Sequence, residues 1–208
     1  MQTIKKIINA ITKVSIFSLI GIGLNIYLSY IFLSLWVRPQ VDDVEMIFNL
    51  SVLMLFEFVL VHSGVFMSCF GRSWKGWLVF IPFYGIFALA FNTMVSGNQV
   101  LILYGAVVLN RILSRMWNSE KKAMEEELAI SAVYAVLYFL LLIVVVVFCA
   151  SYIPKFGLTD DFLSAVHYSR YAKGVNVVPN VSMCFGVLYY LMLTLVDTML
   201  AIHEAKAS

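Results

Sequence analysis

Residues 55–71 read LFEFVLVHSGVFMSCFG, an apolar run that carries Glu57 and His62 near its middle. With its flanks the run is long enough to cross a lipid bilayer, which takes about 20 mostly apolar residues in a helix. An ionisable side chain at the centre of such a helix costs about 2.5–3.5 kcal/mol on insertion scales, so it faces other protein rather than lipid. The stretch therefore predicts a membrane helix that has protein neighbours on two sides.

The composition of the whole chain indicates the same class of protein. Of its 208 residues, 62% are hydrophobic and 12% are charged, and the mean hydropathy is +0.92. A soluble domain is about half apolar and about one quarter charged. So few charges exclude a chain whose surface faces mainly water. The net charge of +2 is too small to indicate a nucleic-acid partner.

Six apolar stretches predict an all-α, polytopic integral membrane protein with a single helical transmembrane domain over residues 1–208. The predicted spans cover roughly 12–36, 46–70, 76–96, 99–117, 128–153 and 182–202. With these spans, the N-terminus, the C-terminus and ten of the 14 basic residues fall on one side of the membrane. The other side holds only Arg38, Lys155, Arg170 and Lys173. The positive-inside rule therefore predicts both termini in the cytoplasm, in a multi-pass protein of the plasma or inner membrane.

The 154–181 loop is the one sizeable extramembrane segment of this prediction, and it lies outside. Thr159 is a suitable N-cap, Asp160 and Asp161 would occupy the first helical turn, and Lys173–Gly174 would end the helix. These features predict one short helix on the outer surface. It would serve either as a lid over a site or as a connector packed on the helix ends.

Polar side chains inside the predicted spans are the candidate functional residues. The set consists of Asn25, Glu57, His62, Asn110, Arg111 and Asp197. Glu57 and His62 lie on different faces of one helix and ~7.5 Å apart along its axis, so they cannot bond each other. We therefore expect Glu57 to meet the first span near Asn25, and His62 to meet the sixth span near Asp197.

Two interpretations of this polar set remain open. In the first, a buried pair involving Asp197 locks the bundle and has no chemistry. In the second, the polar groups line a water-accessible cavity that opens to the cytoplasm, with Glu57 as its deepest carboxylate. A carboxylate and an imidazole at membrane depth suit a relay of protons or cations, because both can change charge near neutral pH when they are desolvated.

The second interpretation predicts a small transporter, a channel-type protein or an ion- or proton-coupled carrier subunit. Pro82 and Gly85 in FIPFYG are a candidate helix break of the kind found in carriers. A chain this short predicts a homo-oligomer or a partner membrane subunit, in addition to contact with the lipid bilayer. The alternative is a membrane accessory or interaction subunit that carries out no chemistry.

The spacing of His62 and Cys69 suggests a third function. Seven residues separate them, which resembles the His/Cys spacing of the small membrane peptidases that process quorum-sensing peptides in bacteria. Those proteins carry a basic, glycine-containing run before the histidine, where this chain has LFEFVLV. In a straight helix the two side chains would be ~10.5 Å apart along the axis, so the peptidase requires a break near Ser63–Gly64.

Other catalytic and metal-binding patterns do not occur in the sequence. It contains no H-E-x-x-H, no G-x-S-x-G and no phosphate-binding loop. Its three cysteines include no C-x-x-C pair. The sequence therefore favours a protein that is not an enzyme, and it predicts no metal site and no cofactor.

Overall fold

The computed structural model describes residues 16–70, 74–95, 97–117, 121–172 and 177–207. Helices joined by turns make up these residues, with no strand among them. In chain order the α-helices are α1 (Ile16–Val37), α2 (Val44–Phe70), α3 (Trp74–Asn92), α4 (Gln99–Trp117), α5 (Lys121–Leu142), α6 (Asp160–Ala165) and α7 (Pro179–Ala207). Helix α5 continues as a π-helix over Ile143–Cys149 and a 3₁₀ turn over Ala150–Tyr152. Further 3₁₀ turns cover Val41–Asp43 and Tyr168–Arg170.

The six long helices coincide with the six apolar stretches of the sequence. Within the described ranges, four candidate spans are long and apolar enough to cross a membrane: Ser18–Val37, Val41–Phe66, Leu128–Tyr152 and Pro179–His203. Helices α3 and α4 supply shorter apolar stretches, Gly76–Asn92 and Gln99–Leu109. Large apolar side chains remain exposed on the outward faces, including Ile86, Ile102 and Val147. Exposed apolar surface on long apolar helices indicates a membrane protein.

Helix α2 is the most enclosed of these helices. It contacts α3, α4, α5 and α7. Of its span, 56% is buried, whereas the span that includes α5 is only 17% buried. The prediction that α2 has protein on two sides is confirmed. The fifth stretch, 128–153, contains no charged residue and is strongly exposed. The polar residues of α2 therefore have several helices from which to draw partners.

Helix α1 packs along α7. Phe32 of α1 is 1% exposed and lies directly over Gly186 of α7, where an added Cβ would be 2.3 Å from the Phe32 Cδ1. One turn away, the Ser29 hydroxyl donates to the Val187 carbonyl at 3.3 Å. Small residues allow two helices to approach closely in membrane proteins. This contact fixes which residues of α1 and α7 face each other.

The short helix of the 154–181 segment is confirmed at its beginning but not at its end. The Thr159 hydroxyl caps α6 by accepting a hydrogen bond from the Phe162 amide at 3.2 Å. The helix ends at Ala165, because His167 adopts a left-handed conformation with φ of 51° that cannot continue a right-handed helix. The predicted end at Lys173–Gly174 lies outside the described residues.

The start of this segment is fixed to the connection between α1 and α2. The Trp36 indole donates to the Pro154 carbonyl at 2.9 Å, and the Gly157 amide donates to the Trp36 carbonyl at 3.1 Å. An added Cβ at Gly157 would be 2.2 Å from the Pro39 Cδ, so only glycine fits there. These contacts favour the interpretation of the segment as a connector packed on the helix ends.

Tyr168 anchors the other end of this segment on α2. Its ring packs edge-on against Phe48, with 6.3 Å between the ring centroids. Its hydroxyl is buried near Ser51 without a hydrogen bond to any described residue. Burial raises the pKa of the Tyr168 phenol to about 12.

The predicted helix break in the third stretch is absent, because α3 continues through Pro82 and Gly85. Proline inside a helix lacks an amide hydrogen and crowds the preceding turn, so such a helix needs support from its neighbours. The Tyr104 side chain of α4 packs over this turn, and its hydroxyl donates to the Ile81 carbonyl at 2.5 Å. An added Cβ at Gly85 would lie 3.6 Å from the Tyr104 ring.

Candidate functional site

Asp197 of α7 forms hydrogen bonds with side chains of two other helices. One carboxylate oxygen accepts a hydrogen bond from the Asn25 amide of α1 at 2.8 Å, and the other accepts one from the Tyr134 hydroxyl of α5. All three side chains are half-buried. A carboxylate among apolar helices loses much of its hydration, and hydrogen bonds from two neighbours compensate for part of that loss. Asp197 therefore ties α1 and α5 to α7.

Glu57 of α2 lies against a cluster of buried aromatic rings. The Tyr189 hydroxyl of α7 donates to the Glu57 carboxylate at 3.2 Å. Tyr189 is 1% exposed and meets Tyr138 of α5 edge-on, with 5.2 Å between the ring centroids. The Tyr138 hydroxyl donates to the Met54 carbonyl at 2.6 Å, about one turn before Glu57. These contacts hold the Glu57 side of α2 against α5 and α7.

A cavity of about 210 Å³ lies beside Glu57, between α2, α4 and α5. Its lining comprises Glu57, Leu60, Val61, Gly64, Leu103, Val107, Ser131 and Tyr134. From Glu57 to Gly64 it follows α2 for two turns, or ~10.5 Å. A cavity of this size with several polar groups has room for more than one water molecule. Glu57 therefore faces a space that a small polar species can occupy.

Tyr134 connects this cavity to the second carboxylate. Its side chain forms part of the cavity wall, and its hydroxyl donates to Asp197. Glu57 and Tyr134 thus line one cavity, and Tyr134 links the wall of that cavity to Asp197 of α7. Hydrogen-bonded carboxylates inside an apolar bundle are expensive to bury, and they mark proton or ion pathways in membrane proteins.

His62 does not take part in this arrangement, so its predicted pairing with Asp197 is wrong. The His62 Nδ1 lies 2.8 Å from the Phe58 carbonyl of its own helix, and the two rings pack with 4.0 Å between their centroids. Because a carbonyl oxygen can only accept, Nδ1 carries the proton. The bond to its own backbone satisfies this nitrogen without a second helix, and Asp197 is satisfied by Asn25 and Tyr134 instead.

The predicted pairing of Glu57 with Asn25 is also wrong, since Asn25 donates to Asp197. The predicted contact requires α1 to pack against the Glu57 face of α2. Instead, the buried face of α1 packs along α7, where Phe32 contacts Gly186. The side chains of the remaining two candidates, Asn110 and Arg111, lie outside the described part of the structure.

Two tyrosines of the site, Tyr134 and Tyr189, were missed by sequence reasoning that considered only charged, amide and small hydroxyl side chains. A buried tyrosine hydroxyl normally has a hydrogen-bond partner, so tyrosines inside an apolar span are themselves a signal of nearby acceptors. The fifth stretch, in particular, has no charged residue, yet its tyrosines at 134 and 138 both reach partners on other helices.

The helix break that a His62–Cys69 peptidase requires is also absent. Helix α2 is continuous from Val44 to Phe70, through Ser63 and Gly64. The Ser63 hydroxyl donates to the Leu60 carbonyl, within the same helix. His62 and Cys69 therefore remain ~10.5 Å apart along the axis, too far for direct proton transfer. In the described ranges, no group of three or more His, Cys, Asp or Glu residues is placed to hold a metal ion.

A larger surface groove of about 910 Å³ lies away from both carboxylates, along the segment from Asp160 to Pro179. Its one carboxylate, Asp160, is exposed and pairs with Lys155 at 2.6 Å. Exposed ion pairs of this kind contribute little energy. The cavity beside Glu57 is therefore the better candidate site, although it is the smaller of the two.

Comparison of the chain with protein-family models, with curated proteins and with solved structures finds no match.

Proposed function

We propose that the chain is a multi-pass protein of the plasma or inner membrane with six transmembrane helices and both termini in the cytoplasm. In this proposal it acts as a small transporter, a channel-type protein or a proton- or cation-coupled carrier subunit. Glu57 and the cavity beside it form its intramembrane site, and Tyr134 and Asp197 extend that site to α7.

The observation that carries the proposal is a carboxylate, Glu57, in the lining of an open cavity of about 210 Å³ between three apolar helices, α2, α4 and α5. Glu57 is half-buried and lines this space together with Ser131 and Tyr134. Carboxylate and hydroxyl oxygens are suitable ligands for a proton or a small hard cation.

The direction of the cavity agrees with access from the cytoplasm. It extends from Glu57 towards Gly64, which is the direction of the C-terminal end of α2. The positive-inside rule assigns that end to the cytoplasmic side, because basic residues follow α2 closely in the sequence. In this proposal a proton or cation enters from that side and reaches Glu57 at the middle of α2.

The test is a flux measurement with the purified full-length chain in liposomes. A pH-sensitive dye is enclosed, an external pH step is applied, and a potassium ionophore prevents charge from accumulating. We expect the chain to accelerate pH equilibration. Glu57→Gln keeps the shape of the side chain and removes its charge, and it is expected to reduce the rate to that of protein-free liposomes. The same flux measurement with a sodium or a potassium gradient in place of the pH step extends the test to these cations.

Glu45→Gln is the matched control for this experiment. Glu45 lies on the same helix but is exposed in its first turn, away from the cavity. We expect this variant to retain the flux of the unmodified chain. Flux that persists in Glu57→Gln, or no flux of any cation with the unmodified chain, contradicts the proposal.

A second candidate function is that of a membrane accessory or interaction subunit without transport. It is favoured by the hydrogen bonds that both carboxylates already make, to Tyr189 in one case and to Asn25 and Tyr134 in the other. Such bonds between helices stabilise a bundle whether or not an ion passes through it. Absence of flux together with stable co-purification of a second membrane protein would support this function over the first.

A further inference from the structure

The outward face of α1 carries a row of polar and small residues that makes no hydrogen bond to another helix in the described part of the chain, and its one serine, Ser34, donates to the Ile31 carbonyl of α1 itself. Gly23, Tyr27, Tyr30 and Ser34 lie within about 60° of one another around the helix, at 3.6 residues per turn. They point away from α7, which contacts the opposite face through residues such as Phe32. We call these four residues the α1 seam.

Two tyrosine hydroxyls of the α1 seam lie deep in the candidate span. Tyr27 is at the middle of Ser18–Val37, and Tyr30 is about one turn further along. Tyr27 is 59% exposed and Tyr30 is 63% exposed, and neither hydroxyl bonds any described residue. A hydroxyl that faces hydrocarbon without a hydrogen bond is unfavourable. This placement therefore indicates that another protein surface covers the seam.

The spacing of the α1 seam suits a second helix. Its members follow one another by four, three and four residues, which is the spacing along which two nearly parallel helices pack in membranes and coiled coils. Gly23 is exposed, and an added Cβ there would meet no atom within 4 Å. A glycine at this place allows the backbone of a second helix to approach closely.

We infer that the α1 seam binds the same seam of a second copy of the chain, to form a parallel α1–α1 dimer. Two copies inserted in one bilayer have the same orientation, so each residue meets its counterpart at equal depth. A tyrosine hydroxyl both donates and accepts, so Tyr27 and Tyr30 can bond their counterparts across a two-fold axis. A different protein would need matching polar groups at these same two depths.

The first experiment is cysteine cross-linking of the full-length chain in liposomes. Cys69, Cys149 and Cys184 are replaced by alanine, and single cysteines are introduced at each seam position. A short bifunctional maleimide is expected to give dimers at these four positions. Cysteines at Leu24 and Leu33 are the controls, because these residues are 54% and 42% exposed on the same helix but lie about 90° from the middle of the seam, one on each side. Equal yields at the controls would show random collision and would overturn the inference.

The second experiment measures the dimer equilibrium by energy transfer between labelled copies at increasing lipid dilution. Gly23→Leu is expected to abolish the dimer and leave the fold intact, since the site is open within the chain. Gly21→Leu is the matched control, because Gly21 is also free of neighbours within 4 Å but lies on the other side of α1. The double variant Tyr27→Phe/Tyr30→Phe is expected to weaken the dimer by about tenfold, the scale of two interhelical hydroxyl bonds.

Energy transfer that is absent from the unmodified chain at every lipid ratio would overturn the inference. So would cross-linking of the seam in native membranes to a different protein, together with a monomeric state of the purified chain. The inference does not depend on the proposed function, because an α1–α1 dimer is expected whether or not Glu57 conducts an ion.

Discussion

Gly186→Ala tests the contact that sets the arrangement of the candidate site. An alanine Cβ at this position would lie 2.3 Å, 2.4 Å and 2.6 Å from three atoms of the Phe32 ring, Cδ1, Cε1 and Cγ. Real Cβ atoms do not approach other atoms so closely, so either the ring or the helix has to move. Because three ring atoms are involved and Phe32 is 1% exposed, a small rotation of the ring cannot relieve the clash.

The expected loss of stability follows from two opposing effects. Excess volume in a well-packed interior costs about 1–3 kcal/mol. Replacing glycine by alanine inside a helix stabilises the helix by about 1 kcal/mol. The net effect of Gly186→Ala is therefore a loss of between zero and about 2 kcal/mol, and its size depends on how far α1 and α7 can separate.

Gly105→Ala measures the gain in helix stability from a glycine-to-alanine replacement without a clash. Gly105 lies inside α4, is exposed, and has no atom within 4 Å of an added Cβ. The gain in helix stability is common to both variants, so the difference between them measures the clash with Phe32. We expect Gly105→Ala to be more stable than Gly186→Ala by about 1–3 kcal/mol.

The assay is reversible unfolding in mixed micelles with increasing denaturing detergent, followed by circular dichroism or tryptophan fluorescence. A double-mutant cycle then combines Gly186→Ala with Phe32→Leu, which removes the ring that the new methyl group meets. The double variant is expected to be more stable than the sum of the single effects, by about 1–2 kcal/mol. Equal stability of the two glycine variants, or strict additivity in the cycle, would refute the packing of α1 on α7.

Three further predictions concern the site and the outer segment. Asn25→Leu removes one of the two hydrogen bonds to Asp197 and is expected to lower the unfolding free energy by about 1–3 kcal/mol in the same assay, whereas no change would show that the bond to Tyr134 suffices. Burial raises the pKa of Tyr168 from 10.0 to about 12, so the phenol ionises more readily in the unfolded chain and the stability falls as the pH rises from 10 to 12, by roughly 2–3 kcal/mol. Tyr168→Phe is expected to lose this part of the alkaline pH dependence, and an identical profile for both chains would contradict the assignment. A cysteine at Ala165 is expected to react with an impermeant maleimide from the outside of the cell, and reaction from the cytoplasm alone would contradict the proposed topology.

The positions of the helices could be predicted from the sequence because apolar length depends on local composition alone. The stretch predicted at 46–70 is α2, Val44–Phe70, and the stretch at 99–117 is α4, Gln99–Trp117. The Thr159 cap was predictable for the same reason, since a cap needs only its own helix turn. The early end of α6 at Ala165 was not, because the left-handed His167 has no glycine or asparagine to signal it.

The partners of the polar residues could not be predicted, because they depend on which helices pack together. Angular positions on α2 correctly separated Glu57 from His62. They gave no information on whether α1 or α7 would face either residue. That choice depends on the contact of Phe32 with Gly186, and a single glycine among several apolar helices is too weak a signal to identify from one sequence. His62 illustrates a further limit, since a histidine can satisfy itself on the carbonyl of its own helix.

Helix α7 explains why the two carboxylates belong to one arrangement although they lie on different helices. It contributes Asp197 itself and also Tyr189, the donor to Glu57. The two residues are eight positions apart, or ~12 Å along the axis, so one rigid helix positions the hydrogen bonds of both carboxylates. A shift of α7 that breaks the bond from Tyr189 to Glu57 also strains the bonds of Asp197 to Asn25 and Tyr134. Since Tyr134 is part of the cavity wall, movement of α7 is coupled to the shape of the space beside Glu57.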